Sequence, residues 1–512
     1  MNKGFLPIIF IFLSFLSFSQ SVFNRVYVTD SLYSDYGFSR SVIQTSDGGY
    51  LVAGANAARD KLAALKLSSS GDTLWSFSKQ LGTSGYYEIL SKTLEASDGN
   101  YILAGFYNDS MELNLAGIII KINSMNGEII WIRKIGEMLR GEEIFDVKET
   151  DDKGFMLTGD VGYYDTINGV NTLVEVQGLL VKTDSLGFTE WEQTYGGSET
   201  EFFSSMAISI QDNSFYLFGG TYTFGSGFES LYLVKTDNLG NILWQKSYGG
   251  NYSDEGWAIH QLQDGNFVIA GQSNFGPDST GAYIAKIDPD GILIWEYNYR
   301  GTKDFQDFQD VKQLPNGNIV ACGINQLTSS GSRYQGILKA LNPTDGSVVW
   351  EKQYKYNLVD STQNMFYGMD ICADGGIVMS GHLWDVHTYP DINLAMWVVK
   401  TDCKGNATAW SNTCSQAGIE EFNDEVSPTW FTLYPNPTSS NFSVQCTLPD
   451  NSKNNTISIY DAMGKLMQIV PISAFSNAAV EIDASGFAAG VYSIVLSSDK
   501  QILQTQKLVR ME

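Results

Sequence analysis

Short apolar runs separated by glycine-containing turns recur along most of the chain. In a first phrase, a turn is followed by an apolar run that ends in glycine, as in SDGGYLVAG at Ser46–Gly54 and QDGNFVIAG at Gln263–Gly271. A second phrase joins two apolar runs through a turn and carries tryptophan, as in KIDPDGILIW at Lys286–Trp295. Asp-Gly and Asn-Gly pairs between such runs are typical of tight hairpin turns. Each pair of phrases therefore predicts two hairpins, or four antiparallel strands.

The pair of phrases occurs seven times, and the closing glycine of the first phrase returns at intervals of 51 to 60 residues. A period of this size indicates stacked repeats whose loops differ in length. Four-stranded sheets with two apolar faces are stable when they pack radially against one another. The pattern predicts an all-β chain whose residues 22–410 form a seven-bladed β-propeller. Residues Val22–Val28 align with the last strand of the later repeats, so we expect them to complete the seventh blade as its outer strand.

One tryptophan occupies an equivalent position in every repeat. Recurrence in all seven repeats favours packing anchors between blades over a ring of ligand-stacking aromatics, because a single ligand site does not need seven copies. The last of them follows its turn glycine by five residues, whereas the others follow by four. The predicted anchors are Trp75, Trp131, Trp191, Trp244, Trp295, Trp350 and Trp410.

Both ends of the chain differ from the repeats. Lys3 precedes the apolar run Gly4–Phe18, and small residues follow, so residues 1–19 are predicted to be a signal peptide. Residues 411–430 are polar and acidic, which predicts a linker. Residues 431–512 alternate strands and turns again, which predicts a small immunoglobulin-like β-sandwich.

The net charge of -25 and the pI near 4.4 argue against binding to nucleic acid or to anionic membranes. An exported chain permits disulfides, and Cys403 and Cys414 are close enough in sequence to form one. Cys322 lies in an apolar run and is predicted to be a buried free thiol.

The search for chemistry assigns no catalytic, cofactor-binding or metal-binding residue. His382 and His387 share a segment with two aspartates, but their spacing fits no standard metal site, and a solvated loop is the preferred interpretation. Carboxylates precede the first strand of several repeats, which favours turn capping and solubility; a calcium or cationic-ligand surface stays open, and so does a carboxylate pair for glycoside hydrolysis. These carboxylates are Asp35, Glu88, Glu142, Glu143, Glu199, Glu201, Asp254, Glu255 and Asp304.

Two resemblances bear on the repeats. The phrase A-x-N-x-x-x-G-x-x-x-W at Ala340–Trp350 resembles the tryptophan-docking repeat of quinoprotein-like propellers. The pairing of DGGY-x-x-AG with K-x-D-x-x-G-x-x-x-W resembles seven-bladed repeat domains of large secreted bacterial proteins. The resemblance implies the fold and leaves activity open, since propellers have many functions. A quinone cofactor is not expected, because no cation clamp or metal ligands can be assigned.

The C-terminal segment is similar to the sorting domain of the type IX secretion system of Gram-negative bacteria. The resemblance implies export across the outer membrane, with the secretion machinery and a sortase-like peptidase as partners, and a protein that is surface-attached or released. The matching residues are Tyr434, Pro435, Asn436 and Pro437, then Ile459 to Gly464, then Gly490, Val491 and Tyr492, and finally Lys507, Leu508 and Val509.

Three functions remain open from the sequence. An exported binding module, with a glycan or surface protein as ligand, is the preferred one because the repeats carry no recognisable catalytic set. Its recognition surface is expected in the insertions at Val161–Gln177 and Asp385–Leu394. The alternatives are a polysaccharide hydrolase or lyase and a structural surface component.

Overall fold

The computed structural model describes most of the repeat region and of the C-terminal segment. The described residues are 22–27, 38–82, 87–109, 114–136, 140–167, 170–226, 228–250, 252–274, 280–299, 306–327, 333–356, 362–385, 394–407, 431–436, 438–446, 455–460, 466–472, 479–498 and 501–511. The predicted signal peptide, the predicted linker and Trp410 lie outside them. The chain divides into two compact units, residues 1–417 and 418–512. Every regular element in the described ranges is a strand, and they contain no helix long and apolar enough to span a membrane.

The described part of the first unit contains seven four-stranded antiparallel sheets. Sheets 1 to 3 consist of β2 (Phe38–Gln44), β3 (Tyr50–Ala55), β4 (Leu62–Leu67) and β5 (Thr73–Lys79); β6 (Glu88–Glu95), β7 (Tyr101–Asp109), β8 (Asn114–Ile122) and β9 (Ile129–Ile135); and β10 (Arg140–Glu149), β11 (Phe155–Ile167), β12 (Val170–Thr183) and β13 (Thr189–Tyr195). Sheets 4 to 6 consist of β14 (Glu201–Ile208), β15 (Phe215–Thr221), β16 (Ser230–Thr236) and β17 (Ile242–Tyr248); β18 (Asp254–Gln261), β19 (Phe267–Asn274), β20 (Thr280–Ile287) and β21 (Leu293–Tyr299); and β22 (Gln306–Gln313), β23 (Ile319–Leu327), β24 (Arg333–Leu341) and β25 (Val348–Tyr354). Sheet 7 consists of β26 (Thr362–Ile371), β27 (Ile377–Asp385), β28 (Leu394–Thr401) and β1 (Phe23–Tyr27).

The seven sheets form a closed, propeller-like ring. The first strand of each sheet contacts the first strand of the next, and β26 of sheet 7 contacts β2 of sheet 1. Seven separate apolar clusters fill the seven interfaces between neighbouring sheets, including the interface between the last sheet and the first. The middle strands are buried throughout, as in β3, whereas the last strand of a sheet is largely exposed, as in β5. This burial of both faces explains why the middle strands are continuous apolar runs rather than alternating ones.

The N-terminal strand closes the ring. β1 pairs antiparallel with β28, with Phe23 opposite Lys400 and Tyr27 opposite Met396. The indole Nε1 of Trp397 donates a hydrogen bond of 2.6 Å to Oδ1 of Asn24. This pairing confirms the sequence-based expectation that Val22–Val28 supplies the outer strand of the last sheet.

The second unit consists of two sheets that share one core. One has the order β29 (Phe431–Tyr434), β30 (Asn441–Cys446), β33 (Val480–Asp483). The other has the order β32 (Leu466–Ile472), β31 (Asn455–Tyr460), β34 (Gly490–Ser498), β35 (Gln501–Arg510). Phe442 and Ile482 of the first sheet and Ile459 and Leu508 of the second are all buried in the same apolar cluster. The unit is therefore a small two-sheet β domain.

Candidate functional site

The first strand of every sheet in the ring carries one residue more than its partner strand accommodates. The antiparallel register shifts once in each of β2, β6, β10, β14, β18, β22 and β26, and it shifts at the equivalent place. Such a bulge redirects a side chain and is common next to functional sites. The seven bulged residues are Arg40, Ser91, Phe145, Ser204, Trp257, Gln309 and Tyr367.

All seven bulged residues line one cavity at the centre of the ring, which we call the axial cavity. Its volume is about 60 Å³, and Lys92, Ser205, Ala258 and Asp310 complete the lining. A cavity of this size holds a few water molecules or one small polar group. Each sheet thus contributes a different side chain to a single central space.

These residues were missed in the sequence, although a signal for them exists. In six repeats the bulged residue stands fourteen positions before the closing glycine of the first phrase, and in the fourth repeat it stands fifteen before. The position is constant but the residue type is not, so a comparison of recurring residue types does not single it out.

The hydrogen-bond donors of the axial cavity are largely unused. Nε of Arg40 and Oγ of Ser91 are buried without a hydrogen-bond partner among the described residues. The indole of Trp257 lies close enough to the Asp307 carboxyl to oppose the rise in its pKa. Lys92 makes no ion pair with any described residue. Burial lowers the pKa of Lys92, but the carboxylates of Asp310 and Asp146 outweigh that effect and raise it. The cavity therefore presents two cationic side chains whose donors are available.

A charge network extends from Lys92 along the inner strands. Burial alone would raise the pKa of Asp310, but Lys312 and Lys92 bring it below its ordinary value. Asp310 accepts hydrogen bonds from the backbone of Val311 at 2.8 Å and of Met369 at 3.0 Å. Its oxygens are thus occupied by the protein itself.

On the side of the cavity where the inner strands begin, several carboxyl groups are buried. Burial, opposed by a hydrogen bond from Gln309, raises the pKa of Asp307 to about 7. Burial and Glu229 raise the pKa of Glu255 to about 7 as well. Burial also raises the pKa of Glu143, and it raises that of Asp160 well above its usual range with Glu143 as the next cause. Asp307 and Glu255 therefore titrate near neutral pH, well above the usual range of carboxyl groups.

The prediction of a solvated loop around the two histidines is wrong for His382. That residue lies in strand β27, is 4% exposed and packs 5.4 Å from the ring of Tyr367. Burial, Arg59 and Arg40 lower its pKa to about 3, so the imidazole is neutral. On the side of the first sheet, the imidazole of His382 packs against the ring of Phe38, with 5.0 Å between the ring centroids. His387 lies outside the described residues.

Several of the predicted rim carboxylates are buried rather than solvated, so the expectation that they serve solubility is wrong for them. Glu88 is fully buried and accepts hydrogen bonds from the backbone of Leu81 and Gly82. Glu201 accepts one from Gly197 at 2.9 Å, and Asp254 one from Gly250 at 2.7 Å. Their oxygens satisfy loop N–H groups, which agrees with the turn-capping interpretation.

Asp35 and Asp304 lie outside the described residues. Within the described ranges, no group of three or more His, Cys, Asp or Glu side chains could hold a metal ion.

The repeated tryptophans lie away from the axial cavity, at the outer strands. The indole of Trp75 packs over Gly127 in the next sheet, and its Nε1 donates to the Ser124 carbonyl at 3.1 Å. Trp295 relates in the same way to Gly346 and donates to the Pro343 carbonyl at 3.1 Å. The indoles of the other four described tryptophans likewise pack over the hairpin glycine of the following sheet: Trp131 over Gly187, Trp191 over Gly240, Trp244 over Gly291 and Trp350 over Gly405.

At the closure of the ring, β1 provides the corresponding contacts. The ring of Phe23 packs over Gly71, and the hydroxyl of Tyr27 donates to the Gly71 carbonyl at 2.7 Å. Tyr354 donates to the Gly405 carbonyl in the same way, at 2.6 Å. Phe23 thus stands where the tryptophan stands in the other repeats.

The cysteines divide into two kinds. Cys322, Cys372 and Cys446 are buried free thiols, which confirms the prediction for Cys322. Cys403 is disulfide-bonded. Cys414 lies outside the described residues, so the pairing of these two cysteines stays a prediction.

In the second unit, the first and last of the sorting-type motifs meet. The backbone N–H of Val509 donates to Oδ1 of Asn436 at 2.9 Å. Tyr492 is buried and donates to the Ala488 carbonyl at 2.8 Å, and Leu508 is fully buried. Tyr434 is 79% exposed. Pro437 and the side chains of Val491 and Lys507 lie outside what the structure describes.

Residues 432–511 match the family model of the secretion system C-terminal sorting domain. This domain indicates secretion through the type IX system, with attachment to the outer-membrane surface or release outside the cell. No curated protein matches the chain.

Solved structures with some likeness include Sqt1 of Chaetomium thermophilum bound to the N-terminus of ribosomal protein L10. It shares 13% identity over 75% of this chain and 100% of its own, with a TM-score of 0.40. An α-L-arabinanase of Penicillium chrysogenum in complex with arabinobiose shares 12% identity over 74% of this chain and 99% of its own, with a TM-score of 0.37. A protein of unknown function from Bacteroides caccae shares 14% identity over 56% of this chain and 87% of its own, with a TM-score of 0.32. These values are too low for the likenesses to carry an argument.

Proposed function

We propose that the protein is an exported seven-bladed β-propeller that binds a ligand in its axial cavity. One observation carries this proposal: seven side chains of different type converge on one cavity, while the recurring residues form the scaffold. Binding sites need a preformed concave space with a few well-placed polar groups among apolar ones. The cavity offers Phe145, Trp257 and Tyr367 beside Arg40 and Gln309.

The entrance of the cavity offers additional surface. The hairpin of β11 and β12 leaves the ring beside the pair Glu143 and Asp160, which lie opposite each other in register. Near the far end of the hairpin, Leu173 and Val174 are 48% and 53% exposed. This hairpin corresponds to the predicted insertion Val161–Gln177, and we assign it to recognition of larger ligands. Most of the other predicted insertion, Asp385–Leu394, lies outside the described residues.

The C-terminal domain, which we propose to be an immunoglobulin-like sandwich, serves export. We infer that the type IX machinery recognises it and that a sortase-like peptidase then removes it. The propeller would remain at the cell surface or in the medium, where soluble glycans and surface proteins are accessible to it.

Binding can be tested with the purified chain and a glycan and surface-protein array. We expect a specific ligand whose affinity falls at least about tenfold in Trp257→Ala and Gln309→Ala, since each removes contacts worth about 1 kcal/mol or more. Tyr252→Ala is a matched control because Tyr252 is exposed outside the cavity. The absence of any specific ligand, or binding that is unchanged in both cavity variants, would contradict the proposal.

A second candidate function rests on Asp307 and Glu255. Two neighbouring carboxyl groups with pKa values near 7 can exchange protons at neutral pH, as glycoside hydrolysis requires. Turnover of a polysaccharide panel that disappears in Asp307→Asn and Glu255→Gln, with circular dichroism showing that both variants remain folded, would favour this enzyme over a binding module.

A further inference from the structure

We propose that the axial cavity binds a carboxylate group of its ligand. The proposal rests on the proposed function, because it takes the axial cavity as the binding site, and it names the chemical class that the cavity recognises.

The axial cavity has buried donors that the described residues leave unused. The guanidinium Nε of Arg40 and the hydroxyl of Ser91 have no hydrogen-bond partner among these residues, and both side chains line the cavity. Ser91 is only 6% exposed. A buried donor without a partner costs about 1–3 kcal/mol, so a ligand that accepts from both gains accordingly.

Asp310 is the carboxylate among the described residues that line the cavity, and its oxygens are already engaged. Both oxygens of Asp310 are engaged, by Val311 and Met369 and by the ammonium of Lys312 at 3.5 Å. The amide nitrogen of Gln309 is committed to Asp307. A cation would find no acceptor that is both free and charged there, whereas an anion finds Arg40 and Lys92.

The cationic group of Arg40 lies beside aromatic rings. The guanidinium of Arg40 lies 5.5 Å from the ring of Phe38 and 5.9 Å from that of Tyr367. A second guanidinium, of Arg59, lies 4.7 Å from the same Phe38 ring. The aromatic rings carry no net charge, so these contacts leave the guanidinium charge of Arg40 in place. Arg40 also acts on the carboxyl of Glu143, whose pKa burial nevertheless raises. Arg40 therefore keeps its capacity to bind a carboxylate with charge-assisted hydrogen bonds.

The volume of about 60 Å³ admits a carboxylate but no sugar ring. The rest of a larger ligand would therefore lie in the entrance, beside the aromatic side chains. A free small carboxylate and the carboxylate of a uronic acid share this chemistry, and the two sources can be separated by experiment.

The test is titration calorimetry of the full mature chain with acetate, glucuronate and glucose. We expect acetate and glucuronate to compete for one site and glucose not to bind. Arg40→Gln should weaken carboxylate binding at least about tenfold, since a charge-assisted hydrogen bond is removed. Arg40→Lys should bind with intermediate affinity because it retains the charge without the planar fork. Lys404→Gln, which removes one charge at an exposed turn, should bind as the wild type does.

Each other outcome has a defined meaning. Binding of acetate alone would support the carboxylate site and exclude the uronic acid. Equal binding of glucose and glucuronate, no saturable binding of either carboxylate, or undiminished acetate affinity in a folded Arg40→Gln variant would overturn the inference. These results would leave the proposed function intact as long as a ligand found by array screening still depends on Trp257.

Discussion

The ammonium group of Lys66 in β4 lies 2.8 Å from the carboxylate of Asp47, in the hairpin turn between β2 and β3. Lys66 is 1% exposed, so the lysine crosses the buried end of the sheet to reach this turn. Five other sheets repeat the pair: Lys121 with Asp98, Lys182 with Asp152, Lys235 with Asp212, Lys286 with Asp264 and Lys400 with Asp374. In the remaining repeat, Ala340 and Asn316 occupy the two positions, so lysine and aspartate are absent together.

This relationship predicts strong coupling between the two side chains. Asp47→Asn should lower the free energy of unfolding by about 2 kcal/mol, because it leaves a buried ammonium without its counter-ion. The double variant Asp47→Asn with Lys66→Ala, which copies the sixth repeat, should lose less than the sum of the single variants. Urea denaturation of the four proteins measures the coupling, and strictly additive losses would refute it.

Two tyrosine hydroxyls that bind turn carbonyls in the following sheet predict equal losses of stability when each hydroxyl is removed. Tyr354→Phe removes a buried hydrogen bond to the Gly405 carbonyl, and Tyr27→Phe removes the equivalent bond to Gly71. We expect each to cost about 1 kcal/mol in chemical denaturation. If Tyr27→Phe had no effect while Tyr354→Phe did, β1 would not be a structural equivalent of the other outer strands.

The predicted anchor role of the tryptophans can be measured at Trp295. Trp295→Ala removes the indole that packs over Gly346 and should destabilise the ring by about 2–4 kcal/mol. Ile294→Ala, at the exposed neighbouring position, is the control and should change stability by less than about 0.5 kcal/mol. Equal effects of the two substitutions would remove the distinction between anchor and surface.

The buried carboxyl of Asp307 predicts a pH dependence of stability. Its pKa rises from 3.8 to about 7 in the folded protein, so the folded state binds more protons than the unfolded state between these values. Stability contributed by this group is therefore lost as pH increases, with a slope of up to about 1.4 kcal/mol per pH unit. Thermal unfolding between pH 4.5 and 8 should show a fall that is smaller in Asp307→Asn; an identical fall in both proteins would contradict the assignment.

The contact between the first and last sorting-type motifs predicts a link between domain stability and export. Asn436→Ala removes the acceptor for the Val509 N–H and should destabilise the C-terminal unit by about 1 kcal/mol. Leu508→Asp should unfold that unit, since the side chain is fully buried. We expect the unfolded variant to accumulate in the periplasm, as deletion of Leu433–Glu512 should; surface display at the wild-type level would argue against recognition of the folded domain. Ile469→Thr, at an exposed position of β32 outside the sorting-type motifs, serves as the control.

Repetition made much of the fold predictable. A phrase such as that around Lys286 and Trp295 could be compared with six relatives, so turns and strands could be located and Phe23–Tyr27 could be matched to a missing outer strand. The axial cavity could not be predicted in that way. Arg40, Trp257 and Gln309 do not resemble one another, and their convergence depends on a bulge in each inner strand. His382 was misjudged for a related reason, because the neighbours that bury it come from the other end of the chain.

The pairing of β1 with β28 has a consequence for biogenesis. The two strands are joined by a hydrogen bond between residues 373 positions apart, so the first strand to be synthesised is the last to find its place. Until β28 has emerged, the first sheet exposes the apolar face that β1 and the last sheet later cover. We therefore expect a nascent or partly translocated chain, whose ring is still open, to be prone to aggregation and to require a chaperone. Pairing of β1 with β28 closes the ring and removes this exposed face.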